Sequence, residues 1–186
     1  MRIAVTGTHG SGKTTLVEDF LEQRPGYEHE PEPYLALAQN GVMFSDGASL
    51  PDLEEQLGQS VTMLLAHIGD RDVIFDRCPL DYVGYLEVVA EREGTEWEPS
   101  GKLLGRIEKA LASLDLLVFL PLSQPDEIDT RIEFPRLRKA VDQRLKRILG
   151  EDVFDLRAGS ARLLELSGTR PERLRQLLAA AADTEI

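Results

Sequence analysis

Residues 7–14 read Gly-Thr-His-Gly-Ser-Gly-Lys-Thr, a complete G-x-x-x-x-G-K-[ST] pattern. Gly10 and Gly12 allow the backbone to wrap closely with its N–H groups turned inward, where a side chain would obstruct or strain it. A helix opening directly after the glycines adds free amides and a favourable dipole at the same point, and together these attract phosphate. Lys13 can reach the terminal phosphates of a nucleoside triphosphate, and the hydroxyl of Thr14 is a suitable magnesium ligand. His9, Ser11 and Thr15 complete the candidate contacts, Thr15 lying one residue deeper, toward the α phosphate. These residue types at this spacing imply a bound nucleoside triphosphate.

Other residues have types that work beside a phosphate. Asp76 and Arg77 follow the apolar run Val73-Ile74-Phe75. An Asp there can hold magnesium or orient a hydroxyl, and an Arg can neutralise a phosphate or grip an acidic substrate. A helix cap beside a surface arginine is the plainer alternative for the pair. Glu30 and Glu32 alternate with prolines in Glu-Pro-Glu-Pro. Either carboxylate could accept a proton from an acceptor hydroxyl, and Glu32 is preferred because a helix should start just after it. Asp81 and Tyr82 read as acceptor contacts or as an ordinary polar first helical turn, and Cys78 as small packing. No apolar run ends in the Asp-Glu pair that would activate water, which favours transfer to a bound acceptor over hydrolysis.

Residues 126–150 hold seven of the 21 Lys and Arg residues and five acids, a basic segment in a chain of net charge −12. Arg131, Arg136 and Arg138, at its irregular start, are candidates to stabilise charge on a transferring phosphoryl group. Arg144, Lys146 and Arg147 read as surface charge, and Asp142 offers Arg138 a helix salt bridge instead. Gly168 and Thr169 follow the last apolar run and are candidates for the adenine or ribose side, although Thr169 could simply cap a helix.

These residues need elements to hold them. Compact apolar runs at 3–5, 72–76, 116–120 and 162–166 predict strands of the kind covered on both faces, with a weaker strand at 27–30. Helical spacing predicts helices over 14–23, 33–39, 51–68, 80–92, 102–113, 135–149 and 171–182, several opened by proline and stopped by glycine. Strand and helix alternate, the pattern of a doubly wound α/β sheet, and ligands on such sheets sit beyond the carboxyl ends of the strands. Every candidate above falls at one of those ends.

The length of 186 residues suits one domain, residues 1–186, with a lid over about 123–150. The acidic balance argues against general nucleic-acid binding, and one cysteine rules out an internal disulfide and a Cys-based zinc site. No apolar run is long enough to span a membrane, and the chain enters its first strand at once, so no leader and a cytoplasmic location are expected.

The segments GTHGSGKTT, EPEP, VIFDRCPLDY, LLVFLPL, the Arg-bearing stretch 131–147 and LSGTRPERL resemble, in order and spacing, the nucleoside and nucleotide kinase branch of the P-loop fold. The closest likeness is to small ATP-binding AAA-type domains related to nicotinamide riboside kinase. The resemblance implies a three-layer α/β sandwich around a five-stranded parallel sheet of order 2-3-1-4-5, with an Arg-bearing lid. It implies ATP and Mg2+ as cofactors and functional roles for Asp76, Arg77, Arg131, Arg136 and Arg138. It also implies a role for the Glu of a Glu-Pro pair, either Glu30 or Glu32. The expected activity is transfer of the γ-phosphoryl group to a small nucleoside-like or nucleotide acceptor. A nucleotide-regulated switch or slow ATPase acting on a protein partner is the competing expectation.

Overall fold

The structure is a computed structural model describing residues 1–40, 49–122, 134–154 and 161–182. Five strands form one parallel sheet: β1 (Arg2–Thr6), β2 (Glu28–Glu30), β3 (Val73–Asp76), β4 (Leu116–Phe119) and β5 (Arg162–Glu165), in the order β2-β3-β1-β4-β5. Among the described residues, seven helices connect and cover them: α1 (Lys13–Gln23), α2 (Pro33–Gln39), α3 (Leu50–Ala66), α4 (Pro79–Arg92), α5 (Gly101–Ala112), α6 (Pro135–Glu151) and α7 (Arg170–Ala182).

Alternation along the strands assigns the helices to two layers. Ile3, Val5, Ile74, Leu116 and Val118 point to one face, where they pack with Leu16, Val17 and Phe20 of α1 and Leu177 and Ala181 of α7. Ala4, Val73, Phe75, Leu117 and Phe119 point to the other, against apolar stripes from α3, α4, α5 and α6. Because side chains alternate with period two, the central strands are apolar throughout and buried on both sides. The outer strands β2 and β5 have one open edge each and keep polar residues.

Several helix ends follow the expected chemistry. Ser49 and Ser100 cap α3 and α5 through their hydroxyls, and proline occupies the first turn of α2, α3, α4 and α6. Gly150 does not stop α6. The helix continues through Glu151 and ends at Asp152, whose left-handed backbone (φ 53°) lets the N–H of Val153 return to the carbonyl of Ile148. Aspartate tolerates that conformation better than most side chains, so it substitutes for the glycine. No described helix is long and apolar enough to cross a membrane.

Parallel pairing puts the carboxyl ends of β1 and β3 side by side, with Val5 opposite Asp76. The phosphate loop, Asp76 and Arg77 therefore converge at one rim of the sheet.

Candidate active site

The loop between β1 and α1 is shaped by its glycines and pinned by neighbours. Gly7 has φ 153°, and a Cβ there would lie 2.6 Å from the Leu120 carbonyl oxygen and 2.9 Å from the Ser11 hydroxyl. No side chain fits. Gly12 takes a left-handed conformation (φ 92°) to start α1, whose first N–H groups have no partner within the helix. The Gly7 N–H donates to Oδ1 of the fully buried Asp81 at 2.9 Å. The other oxygen of Asp81 accepts from the Cys78 N–H at 3.0 Å, so this side chain ties the loop to the start of α4.

Lys13 stands in the first turn of α1, buried, with its Nζ donating to the Thr8 carbonyl at 2.8 Å. Burial, with the neighbouring charge of Arg77, lowers its pKa to about 8, against the opposing pull of Asp81, Glu32 and Asp76. Thr14 donates its hydroxyl to Oδ2 of Asp76 at 2.6 Å. Asp76 is itself buried, and its Oδ1 has no hydrogen-bond partner. Burial raises its pKa above the ordinary aspartate range, only partly offset by the bond from Thr14.

Arg77 turns the chain out of β3 in a left-handed conformation (φ 91°), unusual for a residue with a side chain, while its N–H continues the ladder to the Val5 carbonyl. Its Nε lies 3.0 Å from Oε2 of Glu32, and its Nη1 lies 3.6 Å from Oδ1 of Asp81. Burial works against charge on both Arg77 and Glu32. Their mutual attraction overcomes it, leaving the carboxylate below and the guanidinium above their usual ranges. Glu30 points elsewhere, to Nε2 of His67 at 2.9 Å. Of the two candidate glutamates, the fold brings Glu32 to Arg77. Tyr82 is buried close to this group, with a hydroxyl that has no partner and a pKa pushed well up by burial.

Arg138 comes from α6 and is buried, but it does not project into open space. Its Nε donates to the His9 carbonyl at 3.0 Å and its Nη2 to the Gly10 carbonyl at 2.8 Å. Asp142, the helix partner expected to compete for it, instead accepts from the Leu122 N–H at 2.9 Å and from Lys146 at 2.7 Å. Arg136 is exposed on the first turn of α6, and Arg131 lies outside the described residues. His9 gives its N–H to the Tyr85 hydroxyl at 2.9 Å, and its Nδ1 lies 2.6 Å from the same oxygen. Gly168 (φ 90°) and Thr169 follow β5, where the N–H and hydroxyl of Thr169 both donate to Glu172 at 2.8 Å. Their described bonds thus belong to the cap of α7 and do not reach the phosphate loop. Thr15 is half-buried in the first turn of α1.

Tyr85 was not among the sequence candidates. It sits four residues after Asp81, on the same face of α4, and this pair in the buried first half of the helix was the available signal.

The arrangement suits a divalent cation and a polyphosphate. Thr14 and Asp76 supply adjacent oxygen donors, and Oδ1 of Asp76, buried without a hydrogen-bond partner, is of the hard oxygen type such a cation takes. The loop amides and Lys13 supply the positive surface.

Comparison with known proteins agrees with this geometry. A family model described as an AAA domain matches residues 2–173. No curated protein matches in sequence. Among solved structures, deoxyadenosine kinase from M. mycoides with bound dATP superposes at a TM-score of 0.65 with 15% identity, covering 98% of this chain and 100% of that one. Thymidylate kinase from Candida albicans gives 0.62 at 15% identity, covering 99% and 92%. Shikimate kinase from Acinetobacter baumannii in complex with shikimate gives 0.55 at 13% identity, covering 100% and 94%. At these identities the likeness is one of fold, with the all-parallel 2-3-1-4-5 sheet of the P-loop kinases. Since the family model spans nearly the whole sequence, the chain belongs to the AAA domain family and has a P-loop nucleoside and nucleotide kinase-like fold.

Proposed function

We propose that this chain is a Mg2+- and ATP-dependent phosphotransferase that passes the γ-phosphoryl group to a hydroxyl of a small, nucleoside-like acceptor. The observation that carries the choice of acceptor is the state of Arg77. It is the cation nearest Glu32, paired with that carboxylate at 3.0 Å and facing Asp81 at 3.6 Å, with its buried Nη1 left without a hydrogen-bond partner. A phosphate acceptor needs cations left over to meet its own charge. Among the described residues of this corner, carboxylates and the Tyr82 hydroxyl predominate, a lining that suits an alcohol.

In this reading the loop amides and Lys13 hold the β and γ phosphates. Thr14 and Asp76 hold Mg2+, which when bound neutralises charge on the phosphate oxygens. Glu32, kept ionised by Arg77, orients the acceptor hydroxyl and takes its proton. The attacking oxygen is thereby lined up with the γ-phosphorus, and catalysis rests on positioning and charge stabilisation. Two of the structural relatives are named for alcohols, deoxyadenosine and shikimate, and one for a nucleotide, thymidylate. Both classes belong in the test.

The test is a γ-labelled ATP transfer screen against nucleosides, nucleoside monophosphates and other small alcohols. Label should pass to a nucleoside or related alcohol, with little ATP consumed when no acceptor is present. Transfer only to monophosphates would overturn the acceptor assignment. Acceptor-independent ATP consumption would favour an ATPase or switch.

A further inference from the structure

We infer that Arg138 is a positioning residue for the phosphate loop, acting through two loop carbonyls and not through the γ-phosphate. The inference rests on the reading that the loop binds phosphate, but it is independent of whether an acceptor is phosphorylated.

A trans peptide holds its C=O and its N–H on opposite sides. When the guanidinium of Arg138 takes the carbonyls of His9 and Gly10 on the outer side of the loop, at 3.0 and 2.8 Å, the N–H groups of Gly10 and Ser11 must face the other way. That way is inward, where a phosphate-binding loop needs its donors. Glycine-rich backbone has many alternatives, and an unheld loop would lose entropy on every binding event. A buried charged donor bonded to two carbonyls removes much of that loss beforehand.

The clamp has a second arm and a rigid base. Tyr85 on α4 takes the N–H of His9 at 2.9 Å, so the residue held by Arg138 through its carbonyl is held by Tyr85 through its amide. Both arms depend on how α4 and α6 meet. Gly84, next to Tyr85, lets the helices approach so closely that a Cβ there would lie 3.2 Å from Cδ2 of Leu145. Arg144 of α6 fastens the same pair of helices to Glu87 of α4 at 2.6 Å and also bonds to Glu91. The reach of Arg138 to the loop is therefore set by packing two helical turns away.

ADP and ATP separate this role from the alternatives, because ADP keeps the β-phosphate seated in the loop and lacks the γ-phosphate. Calorimetric titration with Mg-ADP and Mg-ATP would be run on the wild-type chain, Arg138→Met, Arg138→Lys, Tyr85→Phe and Gly84→Ala. Arg138→Met should weaken both nucleotides by the same factor, about tenfold or more, as expected for losing two bonds to a charged donor. Arg138→Lys should recover part of the loss, since an ammonium can still meet one carbonyl. Gly84→Ala leaves Arg138 in place and is tolerated by helical backbone. It should nevertheless weaken both nucleotides in parallel, and it keeps the proposal testable should Arg138→Met not fold. Tyr85→Phe combined with Arg138→Met should cost less than the sum of the two, because both hold His9. Loss confined to ATP would overturn the inference in favour of a γ-phosphate contact. A lower melting temperature with both affinities intact would overturn it in favour of a purely structural role. Parallel losses with no acceptor found would leave the clamp standing and remove only the transferase reading.

Discussion

The hydroxyl of Thr14 and the carboxylate of Asp76 meet at 2.6 Å, joining the first turn of α1 to the end of β3 across 62 residues of sequence. The contact exists because β1 and β3 are parallel neighbours and both elements leave the sheet at the same rim. Two oxygen donors are brought together there, and one oxygen of Asp76 is left buried without a partner. In the proposed reaction this pair would hold the cation.

Asp76→Asn therefore tests the cation. The amide keeps the size and can still accept from Thr14, but it is a poor ligand for a hard cation. Turnover should fall by about 10²-fold or more, the scale seen when charge stabilisation is removed. Nucleotide binding measured without Mg2+ should be unchanged, while the gain in affinity on adding Mg2+ should shrink. Equal Mg2+ dependence in both proteins would take Asp76 out of the metal site.

Lys13 gives a prediction in pH. Its pKa in the ligand-free protein is lowered from 10.5 to about 8, chiefly by burial. Between about 8 and 10.5 the unfolded chain holds more proton on this group than the folded one, so the stability of the free protein should rise with pH across that window. Nucleotide binding has the opposite sign, since phosphates favour the protonated amine. ATP affinity should weaken above pH 8, approaching about tenfold per unit, with proton uptake on binding. Lys13→Met should remove both slopes. A wild-type affinity flat from pH 7 to about 9.5 would show that Lys13 does not meet the phosphates.

Glu32→Gln tests the acceptor side. The amide can still accept from Arg77 but carries no charge and is a poor base. Turnover should drop by about 10²-fold with ATP affinity kept. Stability should fall by only about 1 kcal/mol, because Glu32 is part-exposed and Asp81 still faces Arg77. Glu30→Gln, whose partner is His67, should leave turnover unchanged. A reversed pattern would move the acceptor to the other glutamate.

The shape of the loop can be tested without any ligand. Gly7→Ala places a methyl group 2.6 Å from the Leu120 carbonyl at a φ of 153°, so β4 and the loop must separate. A loss of about 2–4 kcal/mol in chemical denaturation is expected. Gly105→Ala, with nothing within 4 Å of the added carbon, should be neutral or slightly stabilising.

The elements were largely readable because their signals are local. Buried parallel strands announce themselves as runs such as Leu116-Leu117-Val118-Phe119, and the proline at the start of α6 marks a first turn whatever lies around it. The phosphate loop was readable for the same reason. The choice between Glu30 and Glu32 was not, since two carboxylates two residues apart look alike until β2 and α2 aim one at His67 and the other at Arg77. Arg138 was visible as a basic residue near the site, but its bonds are to carbonyls nearly 130 residues away, and a sequence carries no mark for backbone acceptors. The same holds for Tyr85, whose hydroxyl meets a main-chain N–H. The end of α6 was misplaced because Asp152 does what glycine usually does.

The most direct measurement of the central claim is transfer of label from γ-labelled ATP to a panel pairing each nucleoside with its monophosphate, for the wild-type chain and for Lys13→Ala. The account predicts a labelled product from a nucleoside or related alcohol and none from the paired monophosphate. It also predicts loss of the product in Lys13→Ala, with the circular dichroism spectrum and melting temperature of a folded domain. Unchanged transfer by Lys13→Ala, or ATP consumption that no acceptor stimulates, would contradict it.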